Sequence, residues 1–184
     1  MSSLVIKPFE IVVHDLESDG FLDVATKVHC GTVICMSTGE VAAFRPHEVW
    51  SYVDLLSQAK VILGHNIIAF DNPLLEKLLK FIWEVERCWD TLVVARCLFP
   101  DRPQGHSLKS YGQALGILKG DFGETADWSQ FTEEMFTYNI QDTKVNEALA
   151  KAQLKQTGIR LEELLEMDKW LKLNAREITL GNES

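Results

Sequence analysis

Asp15 and Glu17 stand one residue apart at the end of IVVHDLE, behind a run of β-favouring apolar residues. On a strand, positions i and i+2 leave the same face, so the two carboxylates are neighbours. Such a pair also occurs on the wet face of an ordinary antiparallel strand. The VVHD segment argues for another setting, because a strand apolar on both faces is central and buried. Its carboxyl end is where open α/β sheets place their ligands. Adjacent carboxylates repel unless a cation sits between them, and a divalent metal ion would serve.

Further carboxylates occur at similar places. VILGHNIIAFDNPLL reads as a strand ending in polar residues, with Asp71 opening the next helix. Asp71 there has a simpler use as well, since a carboxylate at a helix N-terminus is favoured by a few tenths of a kcal/mol. In MFTYNIQDTKVN, Tyr138 and Asp142 are i and i+4 on a helix and share one face, within reach of one ligand. An ordinary helix surface, or a half-buried tyrosine, accounts for them equally.

These residues need elements to position them. EIVVHDLE is a first strand, and residues 28–36 and 40–45 form a hairpin around Ser37-Thr38-Gly39. Residues 47–58 have helical periodicity, and 59–66 make a short strand. Pro73 fits the first turn of a helix that starts at Asp71. RCWDTLVVARCLF runs from a short strand into a helix. HSLKSYGQALG is a short helix with Ser107 available as its cap. Residues from about 130 to 153 are helical, and 160–175 give another amphipathic helix; a tail at about 176–184 is expected to be loose. The order predicts an α/β domain with a mixed five-stranded sheet flanked by helices.

The 184 residues fit one domain, 1–184, with a sizeable core. A net charge of −9 argues against holding nucleic acid by bulk electrostatics, though not against gripping a few nucleotides through metal ions. No apolar stretch is long enough to span a membrane. Cys30, Cys35, Cys88 and Cys97 form no CxxC pair, so reduced thiols in a cytoplasm are expected rather than a zinc site.

Taken together, the order is Asp-x-Glu on a strand, His-Asn followed five residues later by Asp, and Tyr-x-x-x-Asp on a late helix. This resembles the three motifs of the DnaQ-like (DEDDy) 3′–5′ exonucleases, which have the RNase H-like fold. The stretches CWDTLVVARCLFPD, GHSLKSYGQALGILKGDF and YNIQDTKVNEALA narrow the match. They are similar to the proofreading exonuclease domain of family A DNA polymerases of lytic bacteriophages. Such a polymerase continues into palm, fingers and thumb, so a chain of 184 residues is either a stand-alone exonuclease or an excised domain, and with Met1 at its start the stand-alone form is expected.

The resemblance implies two divalent cations, Mg²⁺ or Mn²⁺, that hydrolyse phosphodiester bonds at DNA 3′ ends and release nucleoside 5′-monophosphates. Asp15 would bridge both ions, Glu17 and Asp142 would hold one, and Asp71 would serve the other mainly through water. Tyr138 would orient the attacking water. Substrate contacts would come from Leu16, Phe21, His65, Asn66, His106 and Ser107, with Phe21 against the terminal base. The partners implied are single-stranded 3′ ends of DNA and a separately encoded polymerase, in the host cytoplasm of a phage. Two alternatives remain: an exoribonuclease of the same fold, and a catalytically silent module that docks on a polymerase.

Overall fold

The central strand, β1 (Ile11–Ser18), sends alternate side chains into two different cores. In the computed structural model, which describes residues 6–117 and 127–166, it is joined by β2 (Val28–Cys35), β3 (Val41–Phe44), β4 (Val61–Gly64) and β5 (Cys88–Asp90). The sheet order is β3-β2-β1-β4-β5. The β1–β2 and β2–β3 pairs are antiparallel, and β1–β4 and β4–β5 are parallel. This is the mixed five-stranded sheet expected from the sequence.

Helices cover both faces. On one, α1 (Val49–Gln58) and α2 (Asp71–Leu79) bring Tyr52, Leu56, Leu74 and Leu75 onto Val12 and Leu16. Gly31 of β2 is required here, because a Cβ at that position would lie 2.6 Å from the Tyr52 ring. The Tyr52 ring therefore lies against bare backbone.

On the other face lies the 25-residue helix α5 (Glu133–Thr157), with α3 (Thr91–Leu98) and α4 (Leu108–Ala114) packed beside it. Helix α5 starts at Thr132, whose hydroxyl accepts from the Met135 N–H, and stops at Gly158 in the left-handed region, φ 71°. Its Ala150 and Leu154 pack on Ile11, Val13 and Leu63. Between these and the buried Met135 and Phe136 near its N-terminus, it also buries polar residues: Asn139, Asp142, Thr143 and Asn146. Strand β1 changes from apolar to polar along that face, from Ile11 and Val13 to Asp15 and Glu17. Its polar end meets the polar residues of α5, and there the site lies.

The helix expected over 160–175 differs. Residues Leu161–Glu166 form a 3₁₀ run, tightened by the bond from Glu163 N–H to the Arg160 carbonyl, and Leu164 drops into the core. The rest of that helix and the tail at 176–184 lie outside the described residues. No helix among the described residues is long and apolar enough to cross a membrane.

Candidate active site

Asp15, Glu17 and Asp142 come together at the carboxyl end of β1. Each offers a carboxylate oxygen, and these atoms all lie within 4.8 Å of one another. The oxygens are hard donors, concentrated and partly buried, and they fit Mg²⁺ or Mn²⁺ in the way that carboxylate sites do. Their combined field is felt nearby. Burial first, then the charges of Glu17 and Asp15, push the Cys30 thiol well above its ordinary range.

Tyr138 lies one helical turn before Asp142 and edge-on to Trp128, with ring centroids 6.4 Å apart. It is half-buried. Burial, then Asp142, Glu17 and a hydrogen bond to the Asp142 side chain, hold its phenol far above the usual value. A phenol in that environment keeps its proton and acts as a donor.

Asp71, expected as the fourth carboxylate, is not in the three-residue group. It sits buried at the first position of α2 and accepts the backbone N–H of Leu16. Burial, with the Asp90 carboxylate close by, pushes its carboxyl up to about 7. The reason for the separation is the strand's two-residue period: Asp15 and Glu17 face α5, whereas α2 packs on the opposite side of β1.

Known proteins resemble the chain in sequence and in fold. The chain is 32% identical to the DNA-directed DNA polymerase of Escherichia phage T7 over 181 aligned residues, covering 76% of this chain and 26% of that one. It thus spans about a quarter of the length of the curated relatives it matches. Brucella melitensis NrnC superposes with a TM-score of 0.61 at 15% identity, over 94% of this chain and 86% of that chain. The catalytic core of RRP6 from Trypanosoma brucei gives 0.60 at 18%, over 89% and 45%. In sequence the chain is similar to part of these phage polymerases, and its fold is the RNase H-like one. No family model matches the chain.

The remaining expected contacts divide unevenly. Phe21 is 79% exposed, with Val24 beside it in the same loop at 64%, so neither is core. The Leu16 side chain is buried among Val12, Tyr52 and Leu74, so what this position offers is its backbone. Being even-numbered on β1, it faces away from Asp15 and Glu17. Asn66 occupies a left-handed turn, φ 67°, and its N–H donates to Asp90 Oδ1. His65 Nδ1 lies 3.0 Å from the Thr91 hydroxyl, which also contacts Gly64 and Asn146. His106 Nδ1 is 3.0 Å from the Tyr111 hydroxyl, and Ser107 caps α4 by accepting from Ser110 N–H. These four serve local architecture in the structure.

Two residues of this site escaped the sequence reading. Asp90 accepts from the backbone N–H groups of Asn66, Ile68, Leu92 and Val93, which ties the β4–α2 turn to the start of α3. An Asp-Thr pair between a strand and a helix is a capping signal that pointed to it. Asn139 donates from Nδ2 to Asp15 Oδ2 at 2.9 Å. Its one sequence signal is its place three residues before Asp142, on the same helix face.

Proposed function

We propose that this chain is a metal-dependent 3′–5′ exonuclease that shortens DNA from its 3′ end, with single strands as the preferred substrate and nucleoside 5′-monophosphates as products. One observation carries the reading: Asp15, Glu17 and Asp142 converge within 4.8 Å beside a Tyr138 hydroxyl that is bonded to Asp142. The phage T7 and T3 relatives are DNA-directed DNA polymerases, which supports DNA as the substrate class. A structural neighbour, Brucella melitensis NrnC, has been obtained with bound Mg²⁺, which supports the metal.

Asp15, Glu17 and Asp142 would hold two divalent ions, Mg²⁺ or Mn²⁺, with Asp71 in support through water. The chemistry supplied on binding is Lewis acidity at the phosphodiester and acidification of water. The protein's own groups do the rest. Tyr138 stays protonated, so it directs a hydrogen bond and takes no proton. Phe21 offers an open aromatic face to the terminal base, a contact that favours no particular sequence.

The test is incubation of the protein with 5′-labelled single-stranded DNA in Mg²⁺, in Mn²⁺ and in EDTA, with Asp15→Ala alongside and an RNA of the same sequence in parallel. A ladder receding from the 3′ end, abolished by EDTA and by the substitution, supports the reading. DNA left intact in both metals overturns it, and faster cleavage of the RNA overturns the substrate assignment.

A further inference from the structure

Thr32, on β2, is the cross-strand partner of Asp15 in the antiparallel β1–β2 pair. Directly opposed residues leave the same face of a sheet, so both side chains point at α5. Asn139 reaches down from α5 between them. Its Oδ1 accepts from Thr32 Oγ1 at 2.7 Å, and its Nδ2 donates to Asp15 Oδ2 at 2.9 Å. Thr32 and Asn139 are fully buried. The chain of bonds thus spans three elements and ends on a carboxylate of the acidic group.

We propose that Asn139 is a positioning residue for Asp15, and that Thr32 fixes the amide orientation which lets it act. Resting on the metal reading above, this adds two residues that touch neither ion nor substrate. The logic is one of donors and acceptors. A hydroxyl that donates to Oδ1 holds the amide's NH₂ on the carboxylate side. An amide donor on one Asp15 oxygen fixes that side chain's rotamer and offsets part of the repulsion from Glu17 and Asp142. With the Thr32 hydroxyl gone, Oδ1 is left buried and unpaired, and the amide gains a reason to turn. A turned amide would set its oxygen against the carboxylate.

Outer partners of metal-binding side chains affect metal affinity by about 10- to 100-fold when removed. The experiment is calorimetric titration of the protein with Mn²⁺, with melting in EDTA measured for each variant. Asn139→Leu and Thr32→Val should each weaken Mn²⁺ binding by about tenfold or more. Thr32→Ser keeps the hydroxyl and should bind as the parent does. The double variant should be no weaker than Asn139→Leu alone, because both act through one bond. Parent-like affinity in Asn139→Leu overturns the positioning role while leaving the metal site standing. Additive losses in the double variant, or Thr32→Ser as weak as Thr32→Val, overturn the role of Thr32. A parent protein that takes up no Mn²⁺ overturns the metal reading itself and this proposal with it.

Discussion

Lys77 Nζ donates to the Leu22 carbonyl at 2.9 Å, and to those of Asp23 and Ala25 at 3.1 Å each. Helix α2 thereby grips, from 52 to 55 positions away, the loop that carries Phe21 and Val24. From within, Asp19 closes the same loop by accepting from the N–H groups of Thr26 and Lys27. Two large apolar side chains are thus held outside the core by polar bonds made to the backbone of the loop residues beside them. An exposed apolar pair in a pinned loop calls for a ligand more than a lone exposed residue does.

Lys77→Met should therefore act on substrate binding more than on folding. Stacking of a base on an aromatic residue contributes about 1–3 kcal/mol, so loosening the Phe21 loop should raise KM for single-stranded DNA by roughly three- to tenfold. The kcat should change little. Substrate ending in an abasic 3′ nucleotide has no base to stack and should show no such loss. Equal losses on both substrates would mean that Lys77 only holds the fold.

His14 gives a prediction about pH. It is fully buried on the α1–α2 side of β1, and its Nδ1 is 2.7 Å from the Tyr52 hydroxyl. Burial drives its pKa down from 6.5 to about 4, against a weaker opposing pull from Asn72. A folded-state value below the unfolded one means that the native state prefers the neutral ring. This contribution is whole above about pH 6.5 and fades as pH falls towards 4, amounting to a loss on the order of 3 kcal/mol. His14→Asn cannot titrate, so its denaturant stability should decline less steeply than the parent's between pH 7 and pH 4. Parallel declines would show that the ring is not the group responsible.

The sequence disclosed the two-residue period of β1, and with it the shared face of Asp15 and Glu17. It disclosed Tyr138 and Asp142 because four residues make one helical turn. Both are local rules, and both site fragments rest on them. What it did not disclose depends on how α5 is rotated against the sheet. Asn139 meets Thr32 across 107 positions and Asp15 across 124, and no local period encodes that phase. The facing of Leu16 was legible too, since the alternation that linked Asp15 to Glu17 already placed its side chain on the far side. Asp71 was legible as a helix start, but its separation from the other three carboxylates needed the packing side of α2.

The acidic group should make metal-free protein less stable than a neutralised variant, and metal should reverse that order. Like unit charges about 4 Å apart repel by about 1 kcal/mol even in bulk water. Glu17→Gln removes one of three such charges without changing the side chain's size, so in EDTA it should melt above the parent by about 2–4 °C. Ligand at 100 times its dissociation constant stabilises the native state by about 2.7 kcal/mol, which for this chain length is roughly 5–10 °C. The parent should gain that on addition of saturating Mg²⁺, and Glu17→Gln should gain far less, so the two melting curves change places. Calorimetric scans of both proteins in EDTA and in Mg²⁺ measure it. If Glu17→Gln melts below the parent in EDTA, the carboxylates are not in conflict. If the parent does not respond to Mg²⁺, the three oxygens do not form a ready-made cation site.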